Sequence, residues 1–183
     1  DARFAPLLDL ARVGVVGQSA GGHTALSLAG GRWAPARFLR HCEAHLAQDF
    51  NACVGTFTLL NGGLFDGLKQ SAALGVLRQR VDDETLFDHH DPRFAAAVAG
   101  VPAAADFDPA SLARPGIPLA LVTDDDLVEM QAHLLLLDKH VEVHHYPGTG
   151  HWFAESGAGD HHDPEAAALA WERTLEFLAA HTR

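Results

Sequence analysis

A chain of 183 residues with 48% apolar content is long enough to bury one sizeable core and falls within the range of a single domain. Its formal net charge of −11, and 13 Lys and Arg that form no basic run able to follow phosphates, argue against a nucleic-acid surface and favour a neutral or cationic partner or a small molecule. No stretch reaches the ~20 apolar residues of a membrane span, and the first residues carry no basic-then-apolar export pattern.

In chain order, residues 7–10 read as the end of a helix, and Arg12-Val13-Gly14-Val15-Val16 as a buried strand on its β-branched content. Gly17-Gln18-Ser19-Ala20-Gly21-Gly22 follows directly. Residues 22–29 then have the small and apolar spacing of a helix buried against a sheet, stopped by Gly30-Gly31. Strand, sharp turn and helix in that order are what a G-x-S-x-G nucleophile elbow needs to push a serine hydroxyl clear of the backbone. Ser19 is therefore the candidate nucleophile. Gly17 and Gly21 are expected to be glycine because a β-carbon at either would collide with the neighbouring strand or the first helical turn. Ala20 would supply a backbone N–H to the oxyanion of a tetrahedral intermediate. The plainer alternative is a Gly-rich turn that only packs tightly.

Residues 32–91 form a long mixed segment with helical stretches around 36–47 and 67–80, broken at Asn61-Gly62-Gly63, and without the look of a sheet. Cys42 and Cys53 lie in this segment; they can close a local disulfide in an oxidising compartment or stay thiols in a reducing one, and a zinc site lacks the second closely spaced pair. Two buried strands are predicted next, over 93–100 and 118–123, then a leucine-rich helix over 128–140, an alternating strand over 141–146, and a closing helix over 164–180 with Asp163 as N-cap and Pro164 in its first turn. Strands alternating with helices predict an α/β class: a parallel sheet flanked by helices, with a helical insertion between the nucleophile helix and the next strand. An internal echo, Asp88-His89-His90-Asp91-Pro92 and Asp160-His161-His162-Asp163-Pro164, carries metal-capable side chains. It reads more simply as Asp-Pro starting a structural element beside solvated histidines.

A serine nucleophile needs a base, and the base an orienting acid, in the order Ser, acid, His for this kind of turn. Asp124, Asp125 and Asp126 stand directly after the strand ending at Thr123, at its carboxyl end, where α/β sheets place functional residues. Asp126 is chosen as the acid. Asp124 is expected to cap the next helix or lie in solvent, and at least two of the three aspartates to form a solvated acidic turn. Among thirteen histidines, His151 in Pro147-Gly148-Thr149-Gly150-His151-Trp152 is the best placed base, because flanking glycines let the loop carry an imidazole over the nucleophile. His23 is close to Ser19 in sequence but badly aimed.

With GQSAGG as elbow, a strand followed by aspartates as acid loop and GTGHW as histidine loop, the chain resembles the α/β-hydrolase superfamily over nearly its whole length. The runs RVGVVGQSAGGHTALSLAGG, RFLRHCEAHL with its downstream Cys53, DPRFAAAVAGVPA and PGTGHWFAE are most similar to the bacterial group of predicted dienelactone hydrolases, themselves similar to platelet-activating-factor acetylhydrolases. The resemblance implies carboxylic ester hydrolysis through an acyl-serine. Ser19 would attack, His151 would act as general base and then acid, and Asp126 would orient the imidazolium; no metal or organic cofactor is needed. Dienelactone hydrolases proper use a cysteine nucleophile, so Ser19 argues against that particular activity. Gln18 stands at a variable position often held by histidine, and Thr123 where the acid loop usually opens with glycine.

In the superfamily the elbow follows the fifth strand, and a second oxyanion donor comes from a loop after the third. Here Ser19 is reached within twenty residues. The expectation is a C-terminal portion of a longer enzyme, 1–183 forming one hydrolase domain that lacks the N-terminal strands and carries a cap or insertion at 32–91. Trp33, Phe57, Phe65 and Trp152 are candidate pocket walls for a small ester. The competing readings are a non-catalytic hydrolase-like binding module and, within enzymes, a peptidase or thioesterase sharing the triad chemistry.

Overall fold

Four strands make one parallel sheet in the order β1-β2-β3-β4: β1 Val13–Gln18, β2 Phe94–Gly100, β3 Leu119–Thr123 and β4 Val141–His145. The structure, a computed structural model, describes residues 3–55, 58–125 and 141–183. The helix predicted over 128–140, the chosen acid Asp126 and the candidate wall Phe57 lie outside them. Six α-helices are described: α1 Ala20–Leu28, α2 Pro35–His45, α3 Phe50–Val54, α4 Asp66–Arg80, α5 Pro109–Leu112 and α6 Pro164–His181. No described helix is long and apolar enough to cross a membrane.

The chain divides into two compact units. The first comprises Asp1–Gly31, Asp88–Ala103 and Pro109–Arg183 and contains the whole sheet. Side chains alternate across a strand, so Ala96, Val98, Ala120 and Val122 share one face, where they form a core with Tyr146, Phe153, Ala170 and Phe177, the last two from α6. Ala97, Ala99, Leu119 and Leu121 occupy the other face and are equally buried. α1 packs on β1 and β2 through the buried Gly22, Ala25 and Leu26. α6 begins as predicted, with Asp163 Oδ1 accepting from the N–H groups of Glu165 and Ala166 at 3.1 and 3.0 Å.

One strand departs from its expectation. β1 was expected to be buried on its Val content, yet Gly14 and Val16 are exposed, Val16 to 46%. Among the described residues β1 is an edge strand, paired only with β2, whereas β3 is paired on both sides and completely covered. β1 also runs two residues further than its apolar pattern, through Gly17 and Gln18. At the amino terminus, the predicted helix end is a single 3₁₀ turn, Ala5–Leu7.

The second unit comprises Arg32–Phe87 and Ala104–Asp108. Its core is Cys42, Leu46, Phe50 and Cys53, with Phe38, Leu74 and Leu77 packed against it. A disulfide joins Cys42 of α2 to Cys53 of α3, settling the alternative left open by the sequence. α3 itself was not predicted. Trp33 stacks on Phe87 at 4.9 Å between ring centres, while Phe65 is 72% exposed. Closing a loop of this length is worth ~2–3 kcal/mol in a chain-entropy account. Replacing both cysteines with alanine should cost about that much, read as a lower urea midpoint. Equal midpoints for both forms would show that the crosslink adds nothing.

Candidate active site

Because all four strands are parallel, their carboxyl ends lie along one edge of the sheet, and the residues following β1, β3 and β4 are Ser19, Asp124-Asp125 and the loop to His151. Ser19 occupies the junction between β1 and α1 with φ 55° and ψ −114°. This backbone region is unfavourable for any residue with a β-carbon and persists only where the surroundings impose it. They do so through three hydrogen bonds. The Ser19 N–H donates to Gly100 O at 2.9 Å, and Ser19 O accepts from His23 N–H at 3.0 Å and Ala103 N–H at 3.1 Å. The end of β2 and the residues after it thus hold the turn from one side and the first turn of α1 from the other.

The glycines divide the work differently from the expectation. An ideal β-carbon on Gly17 would sit 2.1 Å from Gly21 O and 2.2 Å from the Gly21 carbonyl carbon, so Gly17 admits no side chain. A β-carbon on Gly21 would meet nothing within 4 Å, which corrects the steric role expected there: Gly21 contributes the backbone that approaches Gly17. The second crowded position is Gly22, where a β-carbon would lie 2.8 Å from Pro102 Cα and 2.9 Å from Gly100 O. Ala20 is the first residue of α1 and is exposed. Its N–H is among those a helix start leaves without an intrahelical acceptor, at the positive end of the helix dipole.

The loop after β4 is laced to the other strand ends. Tyr146 N–H donates to Thr123 O at 3.0 Å, and Gly148 N–H to the Asp125 carboxylate at 2.8 Å. Gln18 Nε2 donates to His151 O at 3.0 Å. Through that last bond the backbone of His151 reaches the residue directly before Ser19, three strands away from β4 in the sheet order. The His151 ring meets Trp152 edge-on at 5.0 Å, and Trp152 is half exposed. Among the described residues no hydrogen bond joins the Ser19 hydroxyl to the His151 imidazole. Catalytic hydrogen bonds in unliganded sites are often long and tighten only around substrate.

The two described aspartates of the run differ in their surroundings. Asp124 is fully buried at the end of β3, contrary to the solvated or capping position expected. Asp125 is exposed but engaged: its carboxylate accepts from Gly148 N–H and stands 3.2 Å from His145 Nε2. Neither this brace nor the Gln18 contact was foreseen. In the sequence Gln18 is a variable position of a motif and Asp125 one of three equivalent acids; only the loop path distinguishes them.

Each half of the Asp-His-His-Asp-Pro echo starts an element, as the simpler reading had it. Asp163 caps α6, and Asp91 holds the approach to β2 by accepting from Arg93 N–H and its guanidinium. The Arg93 guanidinium and amide hold the Asp91 carboxyl well below the usual carboxylate range. His89, His90 and His161 are exposed, while His162 Nδ1 lies 2.8 Å from Phe153 O.

The dienelactone hydrolase family model matches residues 120–182, about a third of the chain, which includes the aspartate run and His151 but not Ser19. No curated protein matches the chain. Among solved structures, one from Klebsiella pneumoniae subsp. pneumoniae MGH 78578, assigned as a dienelactone hydrolase, is 15% identical with a TM-score of 0.44, over 93% of this chain and 87% of that one. The chain thus has an α/β fold, a parallel sheet flanked by helices, and over residues 120–182 it is similar to the dienelactone hydrolase family.

Proposed function

We propose that the chain is a serine hydrolase that cleaves a small carboxylic ester through an acyl-serine intermediate. The observation that carries this reading is the Ser19 backbone. A residue with a β-carbon is held at φ 55° at a strand-to-helix junction, with no room for a side chain at Gly17 behind it. Packing alone does not require serine in that conformation, whereas presenting a nucleophilic hydroxyl does.

In the proposed cycle the Ser19 hydroxyl attacks the ester carbonyl carbon while His151 takes its proton. The carbonyl electron pair moves onto oxygen, where the Ala20 N–H donates to it. The intermediate collapses, the alkoxide leaves with the proton from His151, and the acyl group stays on Ser19. Water, deprotonated by His151, then attacks the acyl carbon; the bond to Ser19 breaks as its oxygen takes the proton back from His151, and the acid is released. Asp126 is the proposed orienting acid. The site residues need no metal or organic cofactor for these steps.

A fluorophosphonate probe should label the protein at Ser19, with loss of labelling in Ser19→Ala and slow labelling in His151→Ala. Labelling that persists in Ser19→Ala would assign the reactivity elsewhere. A folded wild-type protein that neither labels nor turns over short-chain esters would support the non-catalytic module instead.

A further inference from the structure

We infer that Gln18 is a positioning residue for the base: its side-chain amide holds the backbone of His151 in place beside the nucleophile. This inference rests on the proposed Ser19–His151 chemistry for its kinetic consequence, but not for its structural one. The loop of residues 147–151 leaves the edge strand β4, whereas Ser19 follows β1 at the opposite edge of the sheet. The imidazole can serve Ser19 only if the loop is drawn across the ends of the intervening strands. Among the described residues, two side chains from outside the loop hydrogen-bond to its backbone on the way. Asp125 takes the Gly148 N–H at 2.8 Å near the loop's start, and Gln18 donates to the His151 carbonyl at 3.0 Å at its end.

Gln18 is suited to this task by its attachment. It is the last residue of β1, adjoining the strained Ser19, and its backbone is fixed by pairing with Gly100. Nucleophile and loop anchor therefore share one rigid element, so the base is referenced directly to the group it must deprotonate. The contact is partly buried, where a hydrogen bond is less readily exchanged for water. The loop's own bonds, from Thr149 Oγ1 to Tyr146 O at 2.7 Å and from Phe153 N–H to Gly150 O at 3.0 Å, shape it locally, whereas the Gln18 contact ties its His151 end to β1.

The test uses the wild-type chain, Gln18→Met, which keeps the length but removes the donor, and Gln18→His, whose ring N–H extends over the same number of bonds. Hydrogen exchange over residues 147–153 reads the loop directly. Gln18→Met should raise exchange there about tenfold, leaving α1 and α6 unchanged. Ester turnover should lose about 10- to 100-fold in kcat with KM within about twofold, the signature of a misplaced base rather than a lost binding contact. Gln18→His should restore both, with all three proteins melting at similar temperatures.

Unchanged loop exchange in Gln18→Met overturns the inference, as does a defect that Gln18→His fails to repair. If the wild type itself neither turns over esters nor labels with the fluorophosphonate, the triad reading has failed. The exchange measurement then decides the role of Gln18 by itself.

Discussion

Ser19→Gly is expected to abolish ester turnover, by ~10³-fold or more, and at the same time to stabilise the fold by ~1–2 kcal/mol. The two effects have opposite signs because they come from different atoms. The hydroxyl is the proposed nucleophile, and the remaining site groups cannot replace it. The β-carbon is what makes φ 55° with ψ −114° costly, and glycine occupies such conformations readily. Ser19→Ala keeps the β-carbon and should lose activity without the gain in stability. Urea unfolding of the three proteins checks this, and a Gly variant no more stable than the Ala variant would show that the turn is not strained. Residues held against their own backbone preference cluster at functional positions.

Gly17→Ala should be the most damaging single-methyl change in the first unit, costing ~3–5 kcal/mol or preventing soluble expression. The added carbon would lie 2.1 Å from Gly21 O, inside the closest contact two such atoms can make, and the obstacle is helix backbone rather than a side chain that can turn away. Relief requires moving α1 away from β1 and would displace Ser19. Gly21→Ala is the matched control. Its β-carbon meets nothing within 4 Å and it lies in α1, so the substitution should be neutral or gain up to ~1 kcal/mol from helix propensity. Equal losses at the two positions would refute the division of roles drawn from the geometry.

The edge position of β1 adds a consequence for handling the protein. Val16 is 46% exposed on a strand that, among the described residues, is paired on one side only, and Leu7, Leu8 and Leu10 just before it are more exposed still. Unpaired parallel edges with apolar side chains favour association.

The α/β class, the order of the four strands along the chain, the strand-to-helix turn at Ser19 and the loop after β4 were all legible in the sequence. Each is written in a local signal: β-branched runs for strands, small residues and glycines at the strand-to-helix turn, Asp163-Pro164 at the start of α6. These signals report backbone preference over a few neighbouring residues, which is the range over which propensity acts. What depends on which strand lies beside which was not legible. The exposure of Val16 follows from β1 being an edge. The transfer of steric crowding from Gly21 to Gly22 follows from where Pro102 passes, and the engagement of Asp125 follows from the path of the loop after β4, whose Gly148 N–H it accepts. The contact between Gln18 and His151 spans 133 residues of chain. No local pattern encodes such a pair; it exists because four parallel strands bring their carboxyl ends to one edge, and only the folded sheet decides which side chains meet there.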